Sequence, residues 1–113
     1  MPSEARIKIV LLRAAEQPQE LTIDNTLASL QQLVGGYIQA VPVTIDDCQY
    51  VLVVDEEGRI NHKPTNLVCH FGAFVGDILF CKSDAEGEFI SLNHEDIKRI
   101  KEFLESESVS YYL

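Results

Sequence analysis

The chain has 113 residues, 46% of them apolar, and a formal net charge of −9 from eighteen acids against nine Lys and Arg. That length and apolar content fit one self-sufficient globular domain and exclude a disordered chain. A negative field of this size argues against direct nucleic-acid binding and against anionic membrane surfaces, and favours basic protein partners; the same acidity also serves solubility.

Arg6 to Arg13 alternates in part and is rich in Ile, Val and Leu, which predicts a first strand. Ala14 to Gln19, with Pro18, reads as a turn, and Glu20 to Ile23 as a short partner strand in a hairpin. Asp24, Asn25 and Thr26 offer N-cap oxygens to a helix on which Leu27, Leu30, Leu33 and Val34 share one face. Gly35 or Gly36 supplies the left-handed residue that ends it. Tyr37 to Val43 is a strand in which Pro42 predicts an edge position or the strand's end. Ile45 to Gln49 makes a polar turn, and the apolar run Tyr50 to Val54 predicts a central strand covered on both faces.

Asp55 to Gly58 is a turn, and Arg59 to Asn66 (RINHKPTN) an irregular loop over the sheet. Leu67 to Phe74 is open between strand and coil. Val75 to Cys81 predicts a strand entered through Gly76, followed by a hairpin turn over Asp84 to Gly87 and a returning strand over Phe89 to Leu92. Asn93 and Asp96 form a relative of the capping box ahead of an apolar stripe of Ile97, Ile100, Phe103 and Leu104. Glu95 and Arg99 add an i,i+4 pair. The order predicts an α+β fold: one domain over 1–113, a mostly antiparallel sheet, and two helices packed on one face of it.

Few residues carry a chemical signature. His62, His70 and His94 lie on different elements with no H-x-x-x-H or C-x-x-C spacing, so no metal site is expected. Cys48, Cys69 and Cys81 sit among apolar neighbours and read as reduced, inert thiols of a cytoplasmic protein. No segment reaches the roughly 20 apolar residues of a membrane span, and the N-terminal apolar run is too short for a signal peptide. The double glycine follows a helix instead of opening one, so it is a helix stop and not a phosphate loop. Neither acidic turn matches the ligand spacing of a calcium loop. Lys98, Arg99 and Lys101 lie among acids on a mixed-charge helix face. No catalytic residue and no cofactor is assigned, and the expectation is a protein that is not an enzyme.

Two places suggest binding. Arg59, His62, Lys63 and Asn66 gather the donors that an anionic metabolite or nucleotide requires, although Asn66 also reads as a side chain bonding nearby backbone to hold the loop. Val109, Tyr111, Tyr112 and Leu113, in a tail over 106–113, suggest an extended segment. It would dock on its own sheet or on a second copy, leaving the protein a monomer or a homodimer.

The ordered combination LQQLVGGYIQAVPV, VDEEGRI, PTN at 64–66, VGDILF and GEFISLNHEDI resembles a small bacterial and phage family, the domain-of-unknown-function family numbered 3846. Pro64 and Asn66 match its pattern, whereas Gln39 stands where members usually carry an acid. The resemblance implies an accessory protein often carried by phages, prophages or plasmids, with no established activity and no catalytic residues to transfer. With the composition, it leads to the expectation of a non-enzymatic protein-binding or inhibitor module in a bacterial host cell. The alternative is a small-ligand binder that uses the 59–66 loop.

Overall fold

The structure is a computed structural model, and it describes residues 5–14, 16–69 and 72–106. The chain forms β1 (Arg6–Leu12), β2 (Gln19–Asp24), α1 (Leu27–Val34), β3 (Ile38–Ile45), β4 (Cys48–Asp55), β5 (Thr65–Cys69), β6 (Gly72–Val75), β7 (Ile78–Ser83), β8 (Phe89–Ile90) and α2 (His94–Ser106). The main sheet runs β2-β1-β7-β4-β3, with β8 beside the end of β7, and β5 and β6 form a separate two-stranded sheet. All of these pairings are antiparallel. The fold is α+β.

The apolar run of the central strand explains the layering. Tyr50, Leu52 and Val54 of β4 point to one core with Val10, Leu12, Ile78 and Phe80, and this core is closed by Ile97, Ile100, Phe103 and Leu104 of α2 and by Leu67 of β5. Val51 and Val53 point the other way, to a second core with Ile7, Ile9, Leu11, Leu79 and Cys81, closed by Leu30 and Val34 of α1. The two helices therefore lie on opposite faces of the sheet, which corrects the expectation of one shared face. Strands β1, β4 and β7 are apolar at both parities, and a side chain alternates sides at each residue, so both faces require cover.

Local chemistry sets the junctions. Thr26 Oγ1 accepts from Ser29 N at 3.1 Å to start α1, and Gly35 at φ 78° ends it. Leu27 departs from the expected helical face: it is 58% exposed, whereas Leu30 and Val34 are buried. The turn between β3 and β4 is tighter than 45–49, since both strands continue to Ile45 and Cys48 and leave only Asp46 and Asp47, at φ 50° and 65°. Two successive residues with positive φ make the hairpin turn whose twist matches the strands, and aspartate tolerates that region. The ambiguous 67–74 segment contains the end of β5 and most of β6, and Gly76 at φ 74° turns the chain into β7. Beyond β8, Leu92 N donates to Lys8 O at 2.9 Å and Lys8 N to Ser91 Oγ at 3.0 Å, which lodges the chain against the start of β1 before α2.

Among the described residues no helix is long and apolar enough to cross a membrane. Pro42 lies in β3, at the edge of the sheet opposite Val51.

Candidate functional site

The loop from Glu56 to Pro64 is organised around Lys63. Its Nζ lies 2.6 Å from Asp55 Oδ2 and donates to the carbonyls of Val34 at 2.8 Å and Gly35 at 3.2 Å. A cation at the C-terminus of α1 meets the negative end of the helix dipole and carbonyls that lack helical partners. Asp55 is buried, and its Oδ1 accepts from Glu57 N at 2.9 Å. Burial pushes the Asp55 carboxyl up, but the Lys63 ammonium, the Glu57 amide and the Asn61 side chain outweigh it and hold it below the usual carboxylate range. Gly36 is required here: a Cβ on it would stand 2.6 Å from Asp55 Oδ1. The double glycine thus has two uses, one ending the helix and the other making room for the carboxylate.

The four loop residues proposed to hold a ligand do not converge. Arg59 Nη2 donates to Ala73 O at 2.6 Å and lines a cleft of about 310 Å³ with Gln39, Val41, Ile60 and Phe74. Lys63 lines a different concavity, of about 280 Å³, with Arg13, Gln32 and Asp77. His62 is exposed, at φ 58°. Asn66 is fully buried, and its Nδ2 donates to Leu12 O at 2.8 Å and Gly76 O at 2.6 Å, tying the loop's end to β1 and to the turn before β7. A larger groove of about 560 Å³ lies between the β1–β2 hairpin and α1, but its arginines are engaged, Arg6 with Asp24 and Arg13 with Asp77. Val109, Tyr111, Tyr112 and Leu113 lie outside the described residues, as does His70. Among the described residues no group of three His, Cys, Asp or Glu could hold a metal ion.

A buried polar network, not anticipated from the sequence, links α2 to the sheet. Tyr50 Oη donates to Asp96 Oδ1 at 2.8 Å and accepts from Arg99 Nη1 at 2.8 Å. Lys82 Nζ stands 2.7 Å from Asp96 Oδ2, which also accepts from Asn93 N at 2.9 Å. Asp96 N returns a bond of 2.8 Å to Asn93 Oδ1, which completes the reciprocal cap. Arg99 turns to this network and stands 3.6 Å from Asp96. Burial, with the carboxylate beside it, pushes the Tyr50 phenol up to about 12, against the lowering pull of Arg99. Burial also raises the Asp96 carboxyl, but the Asn93 amide, Lys82 and Tyr50 hold it low. Only the Asn93–Asp96 spacing was legible in the sequence; the partners come from strands some 14 and 46 residues away. Cys81 is fully buried, and burial alone raises its thiol to about 12, which leaves it unreactive.

Acids gather at one end of the sheet, Asp84 half-buried and the others exposed. Val51 pairs with Cys81 and Ile45 with Cys48, so the Asp46–Asp47 turn and the turn holding Asp84, Glu86 and Glu88 protrude side by side. Asp84 Oδ1 accepts from Glu86 N and Glu88 N at 3.0 and 2.9 Å and shapes its own turn. The neighbouring cations Lys82 and Arg99 are committed to Asp96. Among the described residues these turn acids make no ion pair.

A family model described as Domain of unknown function (DUF3846) matches residues 7–105. The chain belongs to this family. No curated protein and no solved structure is significantly similar to it.

Proposed function

We propose that this member of the DUF3846 family is a non-catalytic module that binds a basic protein partner, serving in the bacterial cytoplasm as an accessory or inhibitor protein of a phage or other mobile element. The observation that carries the reading is the acidic end formed by Asp46, Asp47, Asp84, Glu86 and Glu88. Carboxylates gathered on two short turns at one end of the sheet maintain a strong local field, because among the described residues none of them is ion-paired. Such a field raises the encounter rate with a basic surface and sets the orientation of docking. The buried carboxylates Asp55 and Asp96 are held in structural ion pairs, which favours a binding role over a catalytic one.

The experiment is retention of lysate proteins by the immobilised chain at low and high salt. Basic partners retained at low salt and released at high salt are expected, with retention reduced in a variant carrying Asp46→Asn, Asp47→Asn and Glu86→Gln. Retention that is indifferent to salt and to these substitutions would sink the reading. The alternative, a small anionic ligand held by Arg59, His62, Lys63 and Asn66, draws less support. Lys63 is engaged by Asp55, Asn66 is buried, and Arg59 faces a different concavity from Lys63.

A further inference from the structure

Among the described residues, strand β3 has one unpaired edge. Glu56 N donates to Tyr37 O at 2.8 Å, so the odd-numbered residues of this segment turn their backbone groups toward β4 and the even-numbered ones turn theirs outward. The outward set is Ile38, Ala40, Pro42 and Thr44. It presents N–H donors at Ile38, Ala40 and Thr44 and a carbonyl acceptor at all four, and among the described residues no strand pairs with it. Unpaired edges invite a further strand and are usually guarded by charge, brevity or proline. This edge spans eight residues, IQAVPVTI, without a single charge, and Pro42 is its one guard. The opposite edge, β2, is treated differently: its Glu20 is bridged by Lys8 and Lys101, and its Asp24 by Arg6.

The chemistry beside the free edge is equally selective. The side chains of Gln39 and Val41 open onto the cleft of about 310 Å³, whose lining includes Ile60, Phe74 and Val75, with Glu56 and with Arg59, whose guanidinium is engaged by Ala73 O at 2.6 Å. Ile60 is 74% exposed and Tyr37, at the start of the strand, 65%. Glu56 and Glu57 are exposed at the same corner, and among the described residues neither makes an ion pair.

We propose that the outer edge of β3, with the cleft beside it, docks an extended segment of a basic protein, which joins the sheet as an additional strand. Backbone bonds to Ile38, Ala40 and Thr44 supply affinity, an apolar side chain of the segment fills the cleft against Val41 and Ile60, and a flanking Lys or Arg meets Glu56 and Glu57. This inference rests on the protein-binding reading and names the form the partner takes.

The probe is a blocked nonapeptide of alternating valine and lysine, compared with one of alternating valine and glutamate, titrated into the full-length chain labelled with 15N. The basic peptide is expected to slow amide exchange at Ile38, Ala40 and Thr44 and to bind at least about tenfold more tightly than the acidic one. Ala40→Pro removes a donor that points away from the ladder, as Pro42 already does, so the fold is expected to survive it. It should weaken the peptide by about tenfold or more with the melting temperature unchanged. Equal affinity for both peptides, binding that leaves the three amides unprotected, or full binding by Ala40→Pro would each overturn the proposal. So would protection of those amides without peptide, whether in a dimer or in a monomer that loses it when 107–113 are deleted, because a second copy or the chain's own tail would then hold the edge. A basic partner retained equally by Ala40→Pro and the parent chain would remove strand addition alone, whereas absence of any salt-sensitive basic partner would remove the protein-binding reading.

Discussion

Lys63 and Asp55 show how much one ion pair organises. The Asp55 side chain is 1% exposed and that of Lys63 23%, so neither charge is free to hydrate fully. Breaking a buried pair by removing one partner strands the other, at a cost of about 3–5 kcal/mol in comparable cases. Lys63→Met is therefore expected to destabilise the chain by about 3 kcal/mol at pH 7, toward the low end because the lysine reaches solvent. The sign with pH follows from the depressed Asp55 carboxyl. In the parent chain its contribution is fully present above the unfolded carboxylate value and is lost as pH falls through the lower folded value. In Lys63→Met the same carboxyl is buried without its ammonium, its folded value rises, and protonation becomes favourable to folding. Urea denaturation of both proteins at pH 7 and pH 3 should show the gap narrowing in acid. A gap that stays constant would mean the ammonium acts only as a helix cap.

At the scale of elements, α2 is anchored by more than its stripe of apolar residues. Asn93→Ala removes one cap oxygen and is expected to cost about 1 kcal/mol. Asp96→Ala removes an acceptor from Asn93 N, Lys82 and Tyr50 together and is expected to cost about 3 kcal/mol, since two of these partners are left at or near a buried site. Thermal or urea melts of the two variants test the ranking, and equal losses would show that Asp96 serves the helix end alone. The sequence disclosed the elements far better than it disclosed these ties. Periodicity placed both helices and the central strand, and the double glycine placed the first helix's stop at Gly35 or Gly36, of which the structure uses Gly35, because each depends on residues within a turn or two. The same apolar run in β4 implied cover on both faces, yet helix order alone suggested a single face, and only the pairing of β1, β4 and β7 decides it. The donors of the 59–66 loop were legible as types but not as a site, because Lys63 and Asn66 are spent on carbonyls up to 54 residues away. Pro42 already points to an edge position or a strand end for β3, and the structure shows the edge. Which of its backbone groups face outward, and the acidic end, needed the strand register, which no local pattern encodes.

For the whole molecule, the strand order makes β7 the keystone. The β1–β2 and β3–β4 hairpins close early and locally, but among the described residues of the main sheet they meet through β7, which contacts Val10 to Leu12 on one side and Val51 to Val53 on the other. A fragment ending at Asp77 contains both hairpins and α1 without the strand that joins them, and it is expected to remain unfolded, with collapsed amide dispersion in its NMR spectrum. A well-dispersed spectrum from that fragment would show that the hairpins associate unaided. Bringing β7 between them closes long loops before any contact rewards the closure, which places this chain among the slower folders of its size. During synthesis, at about 5–20 residues per second, both hairpins leave the ribosome seconds before β7 does. Through that interval the apolar sides of β1 and β4 stand uncovered, so the vulnerable moment of this protein is set by the position of one strand in the gene.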